Sequence, residues 1–169
     1  MTSLPCSDPT PAFVSCAIVT VSDTRTVETD KSGQLLKSLL QEAGHRIVAY
    51  GIIQDEPDQI CEQLAQLAQE PNIEAIIFNG GTGIAPRDTT YDALEALLEK
   101  VLPGFGEVFR ALSYQEIGSR AIASRAVAGV YRGRILFSLP GSTGAVKLAT
   151  EQLILPELVH LVRQLQGKH

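Results

Sequence analysis

The chain has few residues of the kinds that build metal clusters or nucleophilic dyads. Its three cysteines, Cys6, Cys16 and Cys61, form no CxxC pair, a usage that fits a reducing, cytoplasmic setting. Its three histidines, His45, His160 and His169, are scattered, so neither zinc-ligand spacing nor a Cys–His nucleophile pattern emerges. No apolar run approaches the roughly 18–20 residues needed to span a bilayer. The N-terminus has no positive patch ahead of an apolar core, so neither a signal peptide nor a membrane partner is expected. Basic charge is short as well: 14 Lys and Arg stand against 19 Asp and Glu, for a net charge of −5 and a pI of about 5.2. That argues against a nucleic-acid partner, which would need a basic face. Any phosphate ligand must be held by local groups against the overall field. There are no internal repeats and no linker that would divide the chain.

What remains is an ordinary globular balance, 44% hydrophobic and 20% charged over 169 residues, enough for one domain with a substantial core. Residues 1–12, with Pro5, Pro9 and Pro11 among Ser and Thr, read as a flexible arm. Residues 13–169 read as a single α/β domain.

The most informative stretch is Asn79-Gly80-Gly81-Thr82-Gly83-Ile84-Ala85-Pro86-Arg87-Asp88. It follows an apolar run, 73–78, that reads as a buried strand, and it precedes 91–101, where Tyr91, Leu94, Leu98 and Val101 recur at helical spacing. Ligands of open α/β sheets bind where such loops leave the strands. Three glycines in four residues let the backbone bend and approach a ligand closely, and exposed N–H groups suit phosphate oxygens. Arg87 offers charge for an anion, and Asp88 a hard oxygen for magnesium. The alternative is a tight strand-to-helix turn with Asp88 as an N-cap-type residue. The loop is not a Walker A motif, because no Gly-Lys-Ser/Thr follows, and the G-x-G-x-x-G dinucleotide spacing is absent.

Similar junctions recur along the chain. A first strand over 13–21 leads into Ser22-Asp23-Thr24-Arg25, either a polar loop or a second wall of the same crevice. Asp30 is placed to cap a helix over 31–43, with Gly44 as its stop. A strand over 47–53 precedes Gln54-Asp55-Glu56-Pro57, where Pro57 suits a first helical turn and Asp55 is most simply a helix-start residue. Asp23, Asp55 and Asp88 thus follow three successive strands, and a parallel sheet can bring them to one edge. A further helix over 104–117 carries Phe105, Val108, Phe109 and Leu112 as its apolar face. The runs 126–131 and 135–139 flank Arg132-Gly133-Arg134, a hairpin signal that makes at least one strand antiparallel. Pro140-Gly141-Ser142-Thr143 is a second glycine-containing turn, with Ser142 or Thr143 opening a helix through Leu155 that Pro156 interrupts or restarts. The order predicts an α/β three-layer sandwich with a mostly parallel mixed sheet and one antiparallel strand near an edge.

GGTG with an aspartate five residues on, joined to PGST after a later strand, resembles the molybdenum cofactor biosynthesis family of molybdopterin adenylyltransferases (MogA) and their MoaB relatives. The resemblance runs over about 13–161, and GFGEVFRALSYQEIGSRAIASRAVAGV is most similar to the MoaB branch. It implies molybdopterin and ATP as substrates, Mg²⁺ as cofactor, a homo-trimer or homo-hexamer, and other molybdenum cofactor enzymes as possible partners. Asp55 and Asp88 match the family's catalytic, metal-associated acids. Gly80, Gly81, Thr82 and Gly83 fall on its ligand loop, Pro140, Gly141 and Ser142 on a second loop, and Ser22 and Asp23 on a first. Catalytic members usually read Pro-Asp where this chain has Gln54-Asp55. Some MoaB-branch members have lost the acidic pair; this chain keeps both acids.

The implied reaction transfers AMP from ATP to the terminal phosphate of molybdopterin and releases pyrophosphate. A phosphate monoester, with a second pKa near ~6, is already a dianionic nucleophile at neutral pH, so no histidine base is needed. Arg87 and Lys147 are secondary candidates for charge neutralisation. The alternative is a non-catalytic molybdopterin-binding or scaffold member of the same family.

Overall fold

A computed structural model describes residues 12–168. The expected arm lies outside the described residues except for Ala12, and so do Cys6 and His169.

Six strands form one sheet. They are β1 (Ser15–Val21), β2 (Arg46–Ile53), β3 (Ala75–Asn79), β4 (Lys100–Val101), β5 (Val127–Tyr131) and β6 (Arg134–Leu139), in the order β2-β1-β3-β6-β5-β4. β1 runs parallel to β2 and β3, and β3 parallel to β6, whereas β5 is antiparallel to both its neighbours. The sheet is therefore mostly parallel, with its reversed strand second from one edge. The central strands are mostly apolar because both of their faces are covered; every residue of β3 is buried.

Helices α1 (Lys31–Glu42), α4 (Pro103–Ile117), α5 (Thr143–Ala149) and α6 (Leu155–Leu165) cover one face. There Leu36, Leu40, Phe109, Val146 and Leu158 meet Ile18, Ile77 and Phe137. Helices α2 (Pro57–Gln69) and α3 (Thr90–Leu97) cover the other, with Ile60, Leu64 and Leu94 against Val19, Ile76 and Phe78. This is the three-layer α/β sandwich expected from the order of elements.

Local chemistry explains most boundaries. The Asp30 carboxylate accepts the Gly33 N–H at 3.0 Å and caps α1. Arg132 and Gly133 have φ of 44° and 75°, the pair of positive values that a two-residue hairpin turn requires. Two boundaries differ from the periodicity. The helix expected over 91–101 ends at Leu97, because Glu99 and Leu102 donate their N–H groups to the Val130 and Ala128 carbonyls, both at 2.8 Å. The short strand β4 forms between them, and Pro103 disfavours a helical Leu102 in any case. The last helical stretch is split by a π turn over Thr150–Ile154. Pro156 lacks an N–H and its ring crowds the carbonyl four residues back, and a wider turn ahead of it accommodates both effects.

Candidate functional site

Parallel strands place the loops after β1, β3 and β6 at one edge of the sheet. They enclose an open cleft of about 420 Å³. The first loop supplies Ser22, Thr24 and Arg25, the second Gly80, Gly81, Thr82, Gly83 and Asp88, and the third Pro140 and Gly141. Ala123 and Ser124 close the rim from the 3-10 turn Gly118–Ala123 and the residue after it. Three residues expected at the site, Asp23, Asp55 and Ser142, do not line this cleft. Ser142 caps α5 by accepting the Ala145 N–H at 3.2 Å.

The glycine loop has an unusual hydrogen-bond pattern. Gly80 and Gly81 have φ of 103° and 65°, which only glycine adopts cheaply. A β-carbon at Gly81 would also collide with Thr90 Oγ1 and Asp55 Oδ2. Beyond this bend, three successive carbonyls are held by protein donors. Gly81 O accepts the Thr90 N–H at 3.0 Å. Thr82 O and Gly83 O accept Arg125 Nε and Nη2 at 2.9 and 2.8 Å. In a planar trans peptide the next N–H points opposite to the carbonyl. The N–H groups of Thr82, Gly83 and Ile84 therefore face away from these donors, and none has an acceptor among the described residues. Successive free amides of this kind make an anion-binding concavity.

Arg25 ties the first loop to the third. Its Nη1 donates to Ser32 Oγ at 2.6 Å and lies 3.5 Å from Asp30 Oδ1, and its Nη2 donates to the Gly141 carbonyl at 2.9 Å. Beneath it, Asp30 is fully buried and accepts Thr20 Oγ1 and Tyr50 Oη, both at 2.6 Å. Burial pushes the Asp30 carboxyl up, but the hydrogen bonds from Thr20, Tyr50 and the Gly33 amide, with the charge of Arg25, outweigh it and hold the group below the usual range. Asn79, at the end of β3, joins this network through Thr20 and Ser32. Arg25 is thus a cationic wall of the cleft on a rigid mount.

The two acids play different parts. Asp55 is buried, and its Oδ1 accepts the Thr89 N–H at 3.1 Å, Thr89 Oγ1 at 2.7 Å and Thr90 Oγ1 at 3.1 Å. It steadies the start of α3, the helix after the glycine loop. α2, which follows Asp55 in sequence, has Glu56 at its N-cap position and no side-chain cap hydrogen bond. Asp88 is exposed. Its Oδ2 accepts the Ala85 N–H at 3.2 Å, while Oδ1 has no donor among the described residues. Asp88 and Gly83 also border a neighbouring cleft of about 550 Å³, lined by Ile84, Ala85, Pro86 and Ala93 with Asp92 and Arg125.

Asp23 and Arg87 form an exposed strap beside these groups. Arg87 Nε and Nη2 reach the two Asp23 oxygens at 2.9 and 3.0 Å, and Nη1 reaches Glu56 at 2.6 Å. The hydrogen bond from Arg87 holds the Asp23 carboxyl below its ordinary value. Arg87, read above as charge for an anion, has both acids as partners, and Lys147 lies exposed on α5 away from the cleft wall.

Among the described residues, no three His, Cys, Asp or Glu side chains converge as a metal cluster. Magnesium is commonly held by one or two carboxylates together with substrate phosphates. Asp88 with its free oxygen fits an ion that arrives with a phosphate, not one that the chain holds alone. Arg25 belongs to the tetrad read above as a second wall of the crevice, and it lines the cleft. Arg125 is the site residue that sequence reasoning passed over, and no local signal marked it.

Residues 17–160 match the family described as probable molybdopterin binding domain. A molybdenum cofactor biosynthesis protein B of Halalkalibacterium halodurans is 55% identical over 156 residues, covering 92% of each chain. A crystal structure of a molybdenum cofactor biosynthesis protein B is similar with a TM-score of 0.91 at 50% identity, over 93% of this chain and 98% of that one. The tungsten cofactor synthesizing protein MoaB from Pyrococcus furiosus follows at 0.83 and 35%, over 92% and 99%.

Proposed function

The chain belongs to the molybdenum cofactor biosynthesis family of MoaB- and MogA-like proteins, and on that premise we propose that its loop cleft binds molybdopterin by the terminal phosphate. The observation that carries this reading is the row of free N–H groups at Thr82, Gly83 and Ile84, facing away from carbonyls that Thr90 and Arg125 hold. Backbone amides held in place bind an anion without reorganising, and this matters in a chain of net charge −5. Gly80, Gly81, Thr82 and Gly83 form the phosphate cradle. Arg25 adds charge, and Ser22, Pro140 and Gly141 shape the pterin side. Asp23 and Ser142 support this wall through the Arg87 strap and the α5 cap. The test is calorimetric titration of the purified protein with molybdopterin and with its dephosphorylated form. Binding that depends on the phosphate supports the reading; equal binding of both forms, or none, overturns it.

A second reading, adenylyl transfer, is favoured by the position of Asp88 on the wall shared by two clefts. With the pterin phosphate in one cleft and ATP in the other, a phosphate oxygen attacks the α-phosphorus of ATP. A new P–O bond forms, the bond between the α-phosphorus and the bridging oxygen breaks, and pyrophosphate leaves. Mg²⁺ bound with the nucleotide would supply Lewis-acid stabilisation of the phosphates. Asp88 would orient that ion from its free Oδ1, and Asp55 would act by fixing the start of α3 beneath the loop. The loop amides hold the attacking phosphate in line. Adenylylated molybdopterin formed from Mg-ATP by purified protein supports this reading.

We further infer assembly as a homo-trimer or homo-hexamer. Tyr114, Ile117 and Ile122 are 62%, 50% and 84% exposed at the end of α4 and in the turn that follows. That is more apolar exposure than scattered surface residues account for. No helix among the described residues is long and apolar enough to cross a membrane, and the unpaired cysteines fit a reducing cytoplasm.

A further inference from the structure

We propose that Arg125 is a positioning residue for the ligand: it fixes the direction of the glycine-loop amides, and Asp92 and Tyr91 fix Arg125. This rests on the reading that the loop binds a phosphate. Arg125 comes from a segment 42 residues away from Gly83 in sequence, and all three of its guanidinium nitrogens are engaged. Nε and Nη2 hold two consecutive loop carbonyls. Nη1 and Nη2 also grip the two Asp92 oxygens at 2.9 and 3.0 Å. The plane lies over the Tyr91 ring, with Cζ 4.5 Å from its centroid. The Arg125 hydrogen bonds pull the Asp92 carboxyl below its ordinary value, and Asp92 pushes the guanidinium up in turn. The pair therefore stays ionised across the physiological range.

The fold makes room for this contact. A β-carbon at Gly106 of α4 would lie 2.7 Å from the Ala126 carbonyl oxygen. Only glycine there lets the helix approach the strand entrance that carries Arg125. On the other side, Asp92 lies in the first turn of α3, the helix whose start Asp55 holds. The loop is thus gripped at Gly81 by α3 and at Thr82 and Gly83 by Arg125. Lysine is no substitute, because one ammonium cannot hold two carbonyls and a bidentate carboxylate in one plane.

Arg125 also carries charge near the cleft, so the test must separate position from Coulomb attraction. Wild type, Arg125→Lys and Arg125→Gln are titrated with molybdopterin and with inorganic pyrophosphate. The amide resonances of Thr82, Gly83 and Ile84 are followed, and melting is recorded in parallel. We expect both variants to lose affinity by roughly tenfold to a hundredfold, the scale of a misplaced contact, and their loop amides to stop responding to the ligand. Arg125→Lys matching wild type would overturn the positioning role in favour of simple charge. Arg125→Gln binding as tightly as wild type would overturn it altogether. If Arg125→Gln does not fold, Arg125→Lys and Asp92→Ala decide the matter by the same readouts. A wild-type protein whose loop amides respond to neither ligand would overturn the phosphate-binding reading itself, and the proposal with it.

Discussion

Asp55 Oδ1 accepts both the hydroxyl of Thr89, at 2.7 Å, and its N–H, at 3.1 Å. A carboxylate at the end of β2 therefore secures the helix that follows β3. The two strands that flank β1 are thereby linked at the edge where the cleft opens.

The first prediction tests that lock. Asp55→Ala leaves the Thr89 N–H and two hydroxyls without their shared acceptor. Unfolding in urea should shift by about 1–3 kcal/mol, the cost of stranding buried donors. Asp55→Asn keeps an acceptor oxygen and should lose less. An unchanged urea midpoint for Asp55→Ala would show that the contact contributes nothing to stability.

Asp88→Asn should behave in the opposite way. Among the described residues, the one bond to this side chain comes from the Ala85 N–H, and an amide oxygen can accept it. The melting temperature should hardly move, and molybdopterin binding should persist. Turnover in an adenylylation assay should fall by roughly a hundredfold or more, the scale seen when a preorganised electrostatic group is removed. Full activity in Asp88→Asn would sink the catalytic reading while leaving the binding one intact.

A third prediction concerns pH. His45 is buried and its Nδ1 accepts the Val14 N–H at 3.1 Å; burial holds its pKa below the ordinary value. The folded state therefore takes up fewer protons than the unfolded one just below pH ~6.5. Stability should fall as pH drops from about 6.5 towards the folded pKa, and this contribution should be level well above pH ~6.5. His45→Gln should flatten the melting temperature against pH in that window. A wild-type profile that is already flat there would contradict it.

Assembly can be tested directly. Ile117→Glu combined with Ile122→Glu places charge on two of the exposed apolar side chains. Sedimentation equilibrium should give a homo-oligomer for wild type and a smaller species for the double variant. Monomeric wild type at micromolar concentration would rule the interface out.

Residue patterns along the chain specified the elements: apolar runs for strands, stripes for helices, Asp30 and Ser142 as caps, Arg132-Gly133 as a hairpin. The order of those elements was enough to place the loops of Ser22 and Gly80 at one edge, because parallel strands joined by helices end there; that the Gly141 loop joins them was decided by β6, not β5, pairing parallel to β3. Periodicity misread 91–101, since the pairing of Glu99 and Leu102 with β5 is a long-range event that no local window contains. For the same reason it assigned Asp55 to the start of its own helix, when its hydrogen bonds reach 34 and 35 residues ahead. The grip of Arg125 on Thr82 and Gly83 was invisible for a related reason. An arginine's partners are chosen by which backbone carbonyls the packed helices bring within about 3 Å. The sequence alone determined the glycine loop and its freedom to bend. Which way its amides point was decided by tertiary contacts, because a flexible backbone takes its direction from the donors that hold its carbonyls.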